Sequence, residues 1–303
     1  MSKKTGLLFV LFTALVSGVS IFINKFGIAE SNPYIFTFGK NLIVSMILFS
    51  VVLFFNELKS FKELNFKQWI KLAAIGFFGG SIPFLLFFKG LSLTSAAMAS
   101  FIHKTMFIYV AIFAGIFLKE KINKGILTGG ILLLAGNLLL LKPKSFSFNI
   151  GDLLVLIAAL FWAVEFTISK NALNDIRPNL VAFGRMAFGS FFILLFLITT
   201  GNISDMAAIT FPQIAWACLA SVFLFFYVFT WYNGLKHIDV SVAACILLLG
   251  SPVTTLLSFI FLGTGITITE GIGMLLIVAG VSFAVSYSFL NIKKFFQPHT
   301  SNE

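Results

Sequence analysis

Five residues with ionisable side chains stand inside long apolar stretches of this 303-residue chain. They are Lys40, His103, Lys104, Glu165 and Arg185. A charge at the centre of a membrane-spanning helix costs about 2.5–3.5 kcal/mol, so such residues usually face the interior of a bundle and mark a path for a substrate or an ion. We therefore take all five as candidates for substrate binding or ion coupling.

The chemistry of these side chains suggests a role for each and a structural alternative. The carboxylate of Glu165 suits a substrate amine or a transferable proton, and the alternative is an ion pair with a neighbouring helix. Lys40 and Arg185 suit substrate carboxylates or gates with acidic partners, and the alternative is snorkelling of the long side chain toward lipid headgroups.

The adjacent pair His103 and Lys104 lies a third to halfway along its apolar stretch. Neighbouring helical positions point about 100° apart, so at most one of the two points squarely into a cavity. Histidine titrates near physiological pH, which suits a proton-coupled step. The alternative for both residues is a hydrogen bond between helices.

Three aromatic residues complete the candidate site: Trp162, Tyr227 and Trp231. Tyr227 and Trp231 share one helix face at the i, i+4 spacing, close to Tyr232 and Asn233. A wall of amphipathic rings suits an aromatic or amine substrate. The alternative is a belt of aromatic side chains at the membrane surface.

The composition excludes a soluble domain, because 59% of the residues are hydrophobic and only 11% are charged, against about 25% charged in soluble domains. The net charge of +10 does not indicate nucleic acid, because the basic residues cluster in short loops, as orientation signals do. Cys218 and Cys245 lie in apolar runs, which argues against a disulfide framework. We predict no cofactor, no metal site and no nucleic-acid partner.

The apolar stretches predict an all-α integral membrane protein with ten transmembrane helices, each with about 20 mostly apolar residues. The first stretch resembles a signal peptide, but we interpret it as a retained helix. Lys and Arg concentrate in loops on the side of the N-terminus, which places both termini in the cytoplasm and the protein in the cell (inner) membrane. The predicted spans are 6–24, 34–55, 69–90, 95–118, 124–141, 151–170, 179–200, 212–235, 239–262 and 267–290.

The two halves of the chain repeat each other. A constant shift places Gly6 on Gly151, Pro33 on Pro178, and Lys40 on Arg185. Each half holds five spans, and an odd number inverts the second half relative to the first. We predict a first five-helix repeat over 1–144, an inverted repeat over 145–290 and a cytoplasmic tail over 291–303, with the binding site near the midplane between the repeats.

Several short motifs, in order along the whole chain, resemble the EamA family of the drug/metabolite transporter superfamily. The resemblance implies that helices 1–4 and 6–9 surround the cavity while helices 5 and 10 are peripheral. It also implies transport of small metabolites, often amino acids, driven by an ion gradient or by exchange. The motifs are Pro33…Lys40, Phe117-Leu118-Lys119-Glu120-Lys121-Ile122, Trp162-Ala163…Lys170, Pro178…Arg185 and Pro252.

Three structural expectations accompany these motifs. Glu120 is expected to form an ion pair or to cap the start of the fifth helix. Glycines recur at a spacing of seven residues in the fifth and tenth helices (Gly129/Gly136 and Gly273/Gly280), which predicts close helix packing. Pro252 is expected to kink the ninth helix, since proline removes a backbone donor.

The sequence thus predicts a secondary active transporter that moves amino acids or related small polar metabolites across the bilayer by alternating access. Export is favoured, with a proton or a sodium ion as coupling ion, and the oligomeric state stays open. Uptake or exchange of an amino acid or a nucleotide-like metabolite is the first alternative. An intramembrane enzyme is a remote one, because His237 and His299 lie outside the spans and no paired catalytic constellation is present. A receptor or scaffold would usually carry a larger soluble domain.

Overall fold

The computed structural model describes residues 2–29, 32–142 and 149–295 of the chain. The predicted turn at Pro143 and residues 296–303 of the predicted tail lie outside these ranges. Within them the chain is helical and contains ten helices long and apolar enough to cross a membrane, which confirms the predicted fold class. The helices are α1 (Lys3–Ala29), α2 (Pro33–Phe54), α3 (Phe66–Leu91), α4 (Ala96–Phe117), α5 (Lys124–Leu141), α6 (Ile150–Ala172), α7 (Pro178–Thr199), α8 (Phe211–Leu235), α9 (Val240–Leu262) and α10 (Ile268–Phe295).

Side chains at the helix starts fix where several spans begin. Asn65 accepts a hydrogen bond from the backbone N–H of Gln68, and the Gln68 side chain accepts one from the backbone N–H of Asn65. Thr210 and Gln213 form the same reciprocal pair at the start of α8. This capping box satisfies donors that the first helical turn leaves free. The helices α3 and α8 occupy equivalent places in the two halves, so both begin by the same device.

Eight of the helices pack as a closed ring in the order α2, α8, α1, α9, α4, α6, α3 and α7. Helices α5 and α10 pack against each other outside this ring, beside α4 and α9. If each ring helix is exchanged for its counterpart in the other half (α1 with α6, α2 with α7, α3 with α8, and α4 with α9), every helix keeps the same neighbours in the ring. The arrangement is therefore consistent with an inverted repeat, and it agrees with the peripheral position expected for helices 5 and 10.

Equivalent glycine pairs bring helix backbones together in both halves. A Cβ at Gly6 in α1 would lie 3.1 Å from the carbonyl oxygen of Gly234 in α8. A Cβ at Gly151 in α6 would lie 2.8 Å from the carbonyl oxygen of Gly90 in α3. Small residues permit such close backbone contact between membrane helices. The α1–α8 and α6–α3 contacts thus use matching positions.

Close packing at the glycines of α5 and α10 is confirmed, and the structure shows that the two helices pack against each other there. This contact supports a first prediction. A Cβ at Gly273 would lie 2.8 Å from the carbonyl oxygen of Gly136, whereas a Cβ at Gly271 would meet no atom within 4 Å. Overpacking costs about 1–3 kcal/mol, so we expect G273A to lower the melting temperature of the purified protein by several degrees. The matched variant G271A should leave it unchanged. Equal melting temperatures for the two variants would contradict the assigned packing.

Buried apolar side chains are distributed unevenly between the two ends of the bundle. We call the end with the start of α1 and the loops α2–α3, α4–α5, α6–α7 and α8–α9 the terminal end, and the opposite end the distal end. In the ring helices, every member of the largest buried cluster lies in the half nearer the terminal end. Representative members are Val10, Leu48, Leu72, Val110, Leu180 and Leu235.

The distal half holds two small clusters instead of a common core. Ile35 and Phe38 of α2 pack with side chains of α7, and Met98 and Ile102 of α4 pack with Val155 of α6. The distal part of α4 contacts α3, α5 and α6, whereas the distal part of α9 contacts α1 and α10. The bundle is therefore sealed at the terminal end and divided at the distal end.

Helices α4 and α9 are interrupted at matching places. In α4 the helix breaks at Thr105, between the segments Ala96–Lys104 and Met106–Phe117. In α9 a 3₁₀ turn over Leu247–Leu249 interrupts the helix just before Pro252. The kink expected at Pro252 itself stays a prediction. Discontinuous helices in corresponding positions of two halves are typical of secondary transporters.

Candidate functional site

The carbonyl group of Gly79 stands at the centre of the candidate site. It lies in a π-helical segment of α3, Gly76–Ser81, and the residue four positions on, Pro83, has no N–H to donate to it. Instead the indole Nε1 of Trp162 donates to this oxygen over 3.2 Å. The Arg185 Nη2 donates to the same oxygen, also over 3.2 Å. The π-helical segment of α3 thus leaves a backbone carbonyl that accepts hydrogen bonds from side chains of both α6 and α7.

Glu165 lies fully buried beside this carbonyl. Its Oε1 accepts hydrogen bonds from the Tyr232 hydroxyl at 2.8 Å and from the Ser169 hydroxyl. Its Oε2 lies 3.9 Å from Nη2 of Arg185. A Cβ at Gly79 would lie 2.4 Å from Cγ of Glu165, so glycine is what lets α3 approach the carboxylate.

Four polar atoms at the site have no hydrogen-bond partner among the residues that the structure describes. They are Oε2 of Glu165, Nε and Nη1 of Arg185, and Nε1 of Trp231. A buried unpaired polar group costs about 1–3 kcal/mol and is uncommon in proteins. The site therefore holds one anionic acceptor and several donors whose hydrogen-bonding capacity the described residues leave unused.

His103 joins the site through aromatic contacts. Its ring centroid lies 4.9 Å from that of Trp162 and 5.5 Å from that of Phe87, both in edge-on geometry. Phe84 contacts Trp162 from another side at 5.3 Å. The neighbouring residue Lys104 is half-buried and immediately precedes the break in α4. The structure thus brings His103 to Trp162 and turns Lys104 to a different face.

The aromatic residues of α8 form a column next to the buried carboxylate. Trp231 is fully buried and lies 4.5 Å from the ring of Phe166, which directly follows Glu165. Tyr227 stacks on Trp231 at 6.5 Å with nearly parallel rings. A membrane-surface belt does not describe Trp231, because its indole has no contact with the exterior.

Lys40 lies apart from this group, in the distal half of α2. Its ammonium donates to Oδ1 of Asn24 at 3.0 Å and lies 4.7 Å above the ring of Phe36. The side chain is buried, so it does not snorkel toward the bundle surface. Glu165, Arg185, Trp162 and His103 are therefore joined by contacts, whereas Lys40 is bound to α1.

Residues that the sequence analysis did not select also build the site. Gly79 supplies the shared carbonyl, Ser169 holds the carboxylate, and Asn41 donates to the carbonyl oxygen of Gly80 at 2.9 Å. The glycine pair followed by Pro83 inside an apolar span is a readable signal of a broken helix. No comparable signal marks Asn41, whose role follows only from the packing of α2 on α3. Ser169 lies one turn after Glu165 on the same helix, and this i, i+4 spacing is a signal that the sequence contains.

The expectation for Glu120 was wrong. Its carboxylate accepts hydrogen bonds from the backbone N–H of Val240 at 2.8 Å, and from the backbone N–H and hydroxyl of Ser241 at 3.1 and 2.6 Å. It therefore caps α9, while Asn123 caps α5. The loop after α4 lies beside the start of α9, where free backbone N–H groups and the helix dipole attract a carboxylate.

At the terminal end, polar contacts join ring helices at two places, between α4 and α9 and between α2 and α7. Glu120 joins α4 to α9, and Arg177 at the start of α7 lies 3.3 Å from Glu57, which follows α2. These junctions separate two four-helix bundles, one of α3, α4, α6 and α7 and the other of α1, α2, α8 and α9. Lys170 further binds the carbonyl oxygens of Leu235 and Ile238 at the end of α8.

Two cavities lie away from Glu165 and Arg185. One, of about 440 Å³, is an apolar groove between α1 and α8 that includes Phe9 and Phe226. The other, of about 320 Å³, lies at the distal end between α2 and α8 and includes Gly39 and Asp205. Neither is lined by Glu165 or Arg185, so the chemistry of the site does not coincide with these two cavities.

Ten spans, two interrupted helices in matching positions and a buried ion pair near mid-span define a multi-pass membrane protein of the transporter class. The profile of the EamA-like transporter family matches residues 4–142 and again residues 149–286. The chain belongs to this family, as the motifs indicated.

Relatives of this chain are also described as transporters. An uncharacterized transporter of Archaeoglobus fulgidus is 27% identical over 93% of this chain and 97% of its own length. The uncharacterized transporter YyaM of Bacillus subtilis is 28% identical over 76% of this chain and 77% of its own length. One solved crystal structure matches with a TM-score of 0.76 over 96% of this chain and 99% of the other, at 19% identity, which shows a shared fold.

Proposed function

We propose that the protein is a secondary active transporter of amino acids or closely related metabolites in the cell membrane. The observation that carries this proposal is the set of unpaired groups on Glu165 and Arg185, whose charged ends lie 3.9 Å apart. An arginine binds a carboxylate through paired N–H groups. A substrate ammonium would bind the free Oε2 of Glu165. One small zwitterion therefore satisfies both partners.

The shape of the bundle supports an alternating-access mechanism. The core seals the terminal end. At the distal end the α2–α7 cluster still joins the two four-helix bundles, whereas the distal parts of α4 and α9 pack within their own bundles. Rocking of these bundles would close the distal end and open the terminal end, with the Gly79 site between them. We place both termini in the cytoplasm from the loop charges, so export runs from the terminal to the distal end. Glu165 is the proposed proton or sodium site.

Transport by the purified protein in proteoliposomes tests this function. We expect accumulation of at least one radiolabelled amino acid from a broad panel, driven by a proton gradient, a sodium gradient or counter-substrate. E63Q is the matched control for substitutions of Glu165, because Glu63 is an exposed acid on the loop between α2 and α3. We expect E63Q to leave the flux unchanged. A folded protein that moves no panel compound under any of these driving forces would overturn the proposal.

A further inference from the structure

The charges in the interior of the spans do not balance. About two helical turns or more from either end of each span, the described residues carry three cations, Lys40, Lys104 and Arg185, and one carboxylate, Glu165. Glu165 already lies beside Arg185. No carboxylate of the described residues lies within ion-pair distance of Lys40 or Lys104. Two cations in the distal half are therefore left without an anion.

Lys104 lies in the distal half of α4 and is only half-buried. On α4 it falls on the face opposite Ile102, which packs with Val155 of α6. That face turns away from the side of α4 that packs on α6. Within the described part of the chain, its ammonium has no hydrogen-bond partner.

Lys40 joins α2 to α1 in the distal half of the bundle. Its partner Asn24 belongs to α1, and α8 stands between α2 and α1 in the ring. Helices α2 and α1 also contact each other directly, and the Lys40 side chain that joins them is buried. An ammonium has three donors, and the contacts of this one are the neutral amide of Asn24 and the neutral ring of Phe36.

We infer that the transported substrate carries a net negative charge, with a carboxylate or phosphate group that Lys40 and Lys104 attract. The inference rests on the proposed function, and it narrows the substrate to compounds with an acidic group beyond the one that Arg185 binds. Unpaired cations in a membrane interior are costly and mark ion or substrate pathways. Helices α2 and α4 stand opposite each other in the ring, so an anion entering from the distal end meets a cation on either side.

Binding of matched pairs of compounds to the full-length protein tests the charge preference. The pairs are L-glutamate with L-glutamine, and O-phospho-L-serine with L-serine, with L-arginine as a cationic probe. Ligand binding raises the melting temperature, which the intrinsic tryptophan fluorescence reports. We expect one anion to bind about tenfold or more tightly than its neutral partner. The pair that responds distinguishes a carboxylate from a phosphate.

Variants of the two lysines assign the effect to this site. K40Q and K104Q should each weaken anion binding about tenfold or more, while K89Q, at an exposed lysine of α3, should not. Wild-type anion affinity in both K40Q and K104Q, or equal binding of neutral and anionic partners, would overturn the inference. If K40Q and K104Q also transport L-glutamine normally, the proposed function holds although the inference about substrate charge fails. If no compound is bound or transported, both the inference about substrate charge and the proposed function are contradicted.

Discussion

Replacement of Glu165 by glutamine is expected to reduce transport about 100-fold or more, because truncating one member of a buried charge pair costs roughly 2–5 kcal/mol of binding. The amide oxygen of E165Q can still accept the hydrogen bonds of Tyr232 and Ser169. What the variant loses is the negative charge that faces Arg185 and the proposed substrate ammonium. Initial rates of amino-acid uptake into proteoliposomes measure the effect.

A double variant separates this functional role from a structural one. E165Q alone leaves Arg185 buried without an anion, which destabilises a protein by about 3–5 kcal/mol. In E165Q/R185Q the uncompensated charge is gone, so the melting temperature should recover while transport stays lost. Recovery of transport together with stability would show that the pair serves only the fold.

Replacement of Glu120 by alanine is expected to open the terminal end and to abolish transport. The variant removes three hydrogen bonds to α9 from one carboxylate, and hydrogen bonds to charged groups contribute about 1.5–3 kcal/mol each. Cys245 is a native reporter, because it is fully buried in the segment of α9 that Glu120 caps. In a C218S background we expect maleimide to label Cys245 at least about tenfold faster in E120A.

The control for this experiment lies at the other end of α9. Thr264 is exposed in the distal loop that follows the helix, so T264A should leave the labelling rate of Cys245 unchanged. Circular dichroism and a melting curve establish that E120A remains folded. If Cys245 in folded E120A reacts as slowly as in the C218S parent, the seal does not depend on Glu120.

The ten spans were predictable from the sequence to within a few residues. A membrane helix must satisfy its backbone hydrogen bonds internally and present apolar side chains to the lipid. Both requirements depend on the local sequence of each span. Turn signals such as Asn32-Pro33 and Arg177-Pro178 set the starts of α2 and α7. The glycine spacing in α5 and α10 predicted close packing of these helices for the same reason, since close approach depends on local residue size. That they pack on each other is shown only by the structure.

The members of the site were partly predictable, but their partners were not. Glu165, Arg185 and Trp162 stand out because ionisable and amphipathic residues are costly in an apolar span. Their meeting point, the carbonyl of Gly79, depends on a break in α3 and on the neighbours that the ring gives to α6 and α7. Repeat symmetry alone would give Lys40 the surroundings of Arg185. The structure gives it Asn24 instead, because partners depend on helix rotation and order.

The sequence by itself determined the membrane class, the number of helices and the charged residues within them, because hydropathy and turn chemistry act over short distances. The tertiary structure decided the ring order, the shared carbonyl of Gly79 and the end at which the core closes. Both halves of each span are similarly apolar, so nothing local favours one end. The closed end follows from side chains far apart in the chain, such as Glu120 with Val240 and Glu57 with Arg177, which meet only when the two bundles pack together.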